Sequence, residues 1–338
     1  MAIRTEIAEI MESPSRVYSI AERAVASRFN MNAFSKEERE TAEVIDAWAS
    51  EIGKQGDDKG RLIAAFVKRT IEEPIDNKAD ELIELMLEED AIGEFDAYVV
   101  EKAPENTLIA YDAAKAGNVD KSYIDGTAVT PTWKHAQVET EIPFSKLRSG
   151  GFKSIANLSV YAAEALKNHK IMSVFTTLDA AVTGGEQVFA VTGADPTAEA
   201  LDKLALWCID NADEGDTPFM FALNKYAQKI AKMAGYASFM SEDMKNDYNR
   251  YGLVNMYQGC LIGGYSGAKK TGNGELIVPD KRIFGVSGKI GVIADRGELR
   301  IYEYPDYDRE AMQFKFTGYE YGIAITNPEK VAKITFSA

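Results

Sequence analysis

The stretch that most constrains the fold is FKSIANLSVYAAEALKNHKIMSVFTTLDAAVT, residues 152–183, held between Gly150-Gly151 and Gly184-Gly185 and containing no proline or glycine. Phe152, Ile155, Leu158, Ala162, Ala165, His169, Met172, Phe175, Leu178 and Val182 recur at three- and four-residue steps, the stripe of one helix. At ~1.5 Å per residue it would run for nearly ~50 Å, far beyond an ordinary helix. Such a helix is a strut across a domain and predicts an elongated layer beside it.

A chain of 338 residues, 46% of them hydrophobic, has material for about two globular domains. It has no apolar run of ~18 residues, and MAIRTEIAEIMES has no signal-peptide core, so no membrane partner and a cytoplasmic location are expected. Cys208 and Cys260, without a CxxC or nearby histidines, are expected to be buried, reduced thiols. A net charge of -15 argues against gripping nucleic acid through its phosphates, though not against surrounding it. Salt would screen repulsion between such acidic copies, which fits salt-dependent self-assembly.

Residues 1–90 read as a string of helices. Pro14 stops the first, Ser35 and Glu38 form a capping box for the third, another stops before Pro74, and Asn77 caps a last one through Met86. The acids Glu88-Glu89-Asp90 read as a solvated helix face. The first fifty residues carry too little apolar face to form a core alone, so they are expected to act between subunits.

From Phe95 the period becomes two. FDAYVVE, TLIAYDA and QVETEIPF read as strands around a long polar, glycine-bearing stretch, and 95–144 is expected to be a protruding two-stranded arm. Tyr123 and Trp133 at its tip are the candidate inter-subunit contacts, because aromatic side chains dominate interface energetics. After Gly185 the pattern alternates: a helix opened by Asp195-Pro196 with Leu201, Leu204, Ala205, Cys208 and Ile209 on one face, a buried strand Phe219–Leu223, helices capped by Asn224 and Ser241, then strands at 260–262, 276–279, 283–286 and 290–293. ELRIYEY, AMQFKFTGYEYGIAI and VAKITF close the chain as strands.

No catalytic pattern survives scrutiny. GYSGAKKT lacks the glycine that a phosphate loop needs before its Lys-Thr pair. Neither Ser266 nor Ser287 sits in a nucleophile elbow, His169 lies on the apolar stripe, and DYDRE lacks the sixth-position glycine and closing glutamate of a calcium loop. No catalytic residue, cofactor or metal is expected.

In the order of its elements, and in FMFALNKYAQKIAKMAGY, GLVNMYQGCLIGGY, VPDKRIFGVSGKIGV and FKFTGYEYGIAITNPEKVAKITF, the chain resembles the major capsid proteins of tailed double-stranded DNA bacteriophages, with the Hong Kong 97-type shell fold. The resemblance implies an α+β fold. It divides the chain into a helical N-terminal arm at 1–90, an extended loop at 95–144, a peripheral domain at 145–190 and 294–325, and an axial domain at 191–293 and 326–338. It implies pentamers and hexamers assembled in a host cytoplasm into an icosahedral capsid that encloses DNA without sequence-specific binding, with scaffold, portal and decoration proteins as further partners. An encapsulin-like shell around protein cargo and a small-molecule hydrolase or binding enzyme on 191–293 stay open as alternatives.

Overall fold

The structure, a computed structural model, describes residues 7–30, 33–52, 59–76, 81–102, 126, 128–149, 151–231, 256–267, 271 and 273–337. Past a helical turn at 7–10 come helices α1 (Pro14–Ala26), α2 (Lys36–Ile52), α3 (Lys59–Asp76) and α4 (Glu81–Met86). The capping box opens α2: the Ser35 N–H donates to Glu38 Oε2 at 2.8 Å and the Glu38 N–H to Ser35 Oγ at 3.3 Å. Helix α3 runs through Pro74 instead of stopping before it, and Asn77 lies outside the described residues.

Strand β1 (Leu87–Ile92) replaces the expected acidic helix face; it pairs parallel with the strand Gly291–Arg296, and that partner overrides the weak strand preference of Glu88-Glu89-Asp90. A short ribbon, β2 (Val100–Glu101) against β3 (Ala128–Val129), is what the structure describes of the arm; TLIAYDA lies outside the described residues. Strand β4 (Thr132–Pro143), expected in the arm, is built into the body sheet. Helix α5 (Phe144–Ser149) leads into the strut, α6 (Gly151–Ala181).

The remaining elements are β5 (Val188–Thr192), α7 (Ala198–Asp210), β6 (Phe219–Leu223), α8 (Asn224–Ala231), β7 (Met256–Tyr257), β8 (Cys260–Tyr265), β9 (Arg282–Val286), β10 (Gly291–Arg296), β11 (Arg300–Asp306), β12 (Ala311–Ile325) and β13 (Val331–Ser337). Helix α7 starts later than expected, with Thr197 as its cap, Oγ1 accepting the Ala200 N–H at 3.3 Å. Ile209, expected on its buried face, is exposed, and of the expected strand at 276–279 only a single bridge at Leu276 forms. The helix expected from Ser241 lies outside the described residues.

Two sheets result. In the first, β12 is the axis: its first half pairs with β11 and its second with β10, both antiparallel, while β4 runs antiparallel along its other side and β1 flanks β10. A bulge between Phe316 and Tyr319 lets one strand serve both partners, and Gly318 supplies the positive φ of 87°. The second sheet has the order β5-β13-β9-β6-β8-β7. Strand β5 is hydrogen-bonded into the second sheet and β10 into the first.

Helix α6 serves both sheets. Phe175, fully buried, meets Tyr265, Phe221 and Phe284 of the second sheet at ring-centroid distances of 5.1, 5.2 and 6.2 Å. Two residues earlier, Ser173 Oγ lies 2.8 Å from the hydroxyl of Tyr321 in β12. Of the expected stripe, Ala165, His169 and Met172 are only half-buried, whereas Ala163, Leu166, Lys170 and Val174 are also buried; the N-terminal helices pack on α6 as well as the sheets. Described residues of the stretch expected to be an N-terminal arm thus take part in the subunit's own core. Ile20, Ala24, Ile45, Val67 and Ile71 join the same core as Ile155 and Leu166: each helix has a narrow apolar stripe, and the strut supplies the surface that all of them bury.

Candidate functional site

The described part of the ribbon is rooted where it leaves the first sheet. Val100 packs with Val292 and Ala324, and Tyr98 and Val129 close over them, so the ribbon stands on a small apolar foot of its own. Polar ties hold the same place: Arg300 Nη2 donates to both carboxylate oxygens of Glu94 at 2.7 Å, and Lys102 Nζ reaches Glu329 Oε1 at 3.0 Å. Beside these anchors Phe95 is 92% exposed. An exposed aromatic on an anchored turn has no role in the subunit's own core.

Trp133 lies on β4 opposite Gly322, half-buried, with the Arg296 guanidinium 4.2 Å from its ring centre. Arg296 in turn donates to Glu320 Oε2 through Nη2 at 2.7 Å and Nε at 3.1 Å, and His135 Nδ1 lies 3.2 Å from Glu320 Oε1. The Arg296 hydrogen bonds hold the Glu320 carboxyl below its ordinary value. Part of Trp133 is therefore spent on its own sheet. Tyr123 lies outside the described residues. The sequence reading missed Arg296, Glu320 and the exposure of Phe95; an arginine and a carboxylate 24 positions apart carry no local signal of meeting.

Titratable groups of the strut and of the second sheet have partners within the fold. His169 Nδ1 lies 2.6 Å from the Tyr321 hydroxyl, and burial followed by the charge of Lys134 lowers the His169 pKa. Burial pushes Tyr321 up to about 12. Lys170 Nζ pairs with Asp295 Oδ2 at 2.8 Å, and the Tyr319 hydroxyl donates to Asp295 Oδ1 at 3.1 Å, which pins α6 in register on the first sheet. Cys208 and Cys260 are both buried, and their mutual hydrogen bond together with burial drives the Cys208 thiol up. Asp306 of the DYDRE turn accepts the Arg309 N–H at 3.1 Å as a turn cap. Among the described residues no His, Cys, Asp and Glu cluster has metal-site geometry, and no helix is long and apolar enough to cross a membrane.

A long strut bearing two sheets, with a ribbon rooted on the first, is the Hong Kong 97-type capsid fold, and its class is α+β. A structure from Gordonia phage Cozz matches with TM-score 0.55 and 14% identity over 78% of this chain and 89% of that one. The mature capsid of bacteriophage PhiM1 matches with TM-score 0.50 and 9% identity over 74% and 85%, and the capsid of cyanophage P-SCSP1u with 0.50 and 12% over 75% and 88%. No family model and no curated protein matches the sequence.

Proposed function

We propose that this chain is the major capsid protein of a bacteriophage: a structural subunit, without catalytic role, that assembles through pentamers and hexamers into an icosahedral shell around double-stranded DNA. The observation that carries the reading is the extent of the fold match, which takes in most of both chains for the Gordonia phage Cozz structure. The subunit's own design supports it. The strut and two sheets make a stiff plate, and closed shells need heterologous contacts between such plates. Phe95, the exposed part of Trp133 and Tyr123 contact neighbouring copies. Assembly takes place in the host cytoplasm, where scaffold, portal and decoration proteins join, and the mature location is the virion capsid.

Expression of the chain followed by negative-stain imaging should show closed particles, and particles recovered from infected cells should protect DNA from nuclease. Particles that contain protein cargo and no protected DNA would move the assignment to a cargo shell.

A further inference from the structure

Strand β4 is 12 residues long, and among the described residues it pairs with β12 alone, with no strand on its opposite edge. Alongside that edge runs a groove of about 360 Å³ between β4 and the first half of α6. Val138, Ile142 and Leu158 give it an apolar floor, and Tyr161, 56% exposed, stands on its helical wall. Such an edge beside a lined groove is the layout for strand addition: backbone hydrogen bonds supply affinity, and alternate side chains enter the groove.

Charge selects the occupant. Val138, Thr140 and Ile142 alternate along β4 with the exposed Glu139 and Glu141, and both carboxylate residues also border the groove. On the occupied side Lys315 stands in register with Glu139, and Arg309 Nη1 lies 3.2 Å from Glu141 Oε2. An incoming strand would place its outward side chains beside the same two carboxylates. Lys146 also lines the groove. A second copy of a chain with net charge -15 would bring its own Glu139 and Glu141 to this edge, and inward or edge charges of one sign are how sheets resist self-pairing. We propose that the β4 edge and its groove bind an extended segment of a basic partner protein, with apolar residues at every second position and lysine or arginine between them.

The probe is a short capped peptide alternating lysine with valine, titrated against the assembled or capsomeric full chain and read by fluorescence anisotropy and amide exchange. Saturable binding with new protection at 132–143 is expected. Glu139→Lys with Glu141→Lys should weaken it by about tenfold or more, and should confer binding of the matching glutamate-valine peptide. Tyr161→Ser should weaken binding while leaving thermal stability unchanged. Absence of binding overturns the proposal. Binding that is indifferent to Tyr161→Ser overturns it in favour of general charge attraction. Protection of 132–143 that grows with protein concentration without peptide overturns it in favour of a second copy.

Discussion

The carboxylate of Asp46 in α2 accepts the backbone N–H of Phe152 at 3.0 Å, so the first turn of α6 is capped by a residue 106 positions earlier in the chain. The N–H groups of a first helical turn have no partner within the helix, and the positive end of the dipole favours a carboxylate there. Gly151 makes this approach possible: a Cβ at that position would lie 2.2 Å from the Cβ of Ala49. Asp46→Ala should lower unfolding stability by about 1 kcal/mol, and Asp46→Asn by less, as measured by urea midpoints. Equal midpoints for Asp46→Ala and wild type would remove the cap from the account.

Truncation of the strut where it joins the second sheet should cost far more. Phe175→Ala removes a fully buried ring packed against three other aromatics and should destabilise by about 3 to 5 kcal/mol. Glu164, exposed on the same helix, should tolerate alanine within about 0.5 kcal/mol. Comparable losses at both positions would mean that the helix buries a different face.

Removal of residues 1–52 should not leave a sound subunit. It strips the α1 and α2 stripes from α6 and exposes side chains such as Ile155 and Ala163, so the product should aggregate or bind a hydrophobic dye. A soluble, cooperatively folding truncated subunit would return these helices to a purely inter-subunit role.

Acid should loosen the seam between α6 and β12. His169 has a folded-state pKa below its ordinary value of 6.5, so the neutral form is favoured in the fold. Its contribution is complete above the unfolded value and is lost as pH falls from there through the lowered folded-state value. Lys134, which faces it, adds to the cost of a second positive charge, while Tyr321 and Ser173 remain neutral partners. The urea midpoint should fall between about pH 7.5 and 5.5, above the carboxylate range, and His169→Gln should flatten that slope. An unchanged slope in the variant would place the titrating group elsewhere.

What the sequence disclosed was local. The strut was legible because its stripe recurs without a breaker, and the α2 start because Ser35 and Glu38 sit three residues apart. Pairings across the chain were not legible. LEEDAI reads as helix or loop until β10 lies parallel to it, and Ile290–Ile293 gives no sign of which sheet receives it. The narrow stripes of α1 to α3 looked insufficient because each was judged without the strut that they share. At the ribbon root, Phe95 fits a strand pattern, and its exposure follows only from the Glu94–Arg300 tie that turns the chain there.

The central claim is assembly, and sedimentation velocity of the purified full chain over a range of ionic strengths tests it most directly. The account predicts pentamers and hexamers or megadalton shells, with the larger species favoured as salt screens the net charge of -15. A single monomeric boundary at every salt and protein concentration would contradict it.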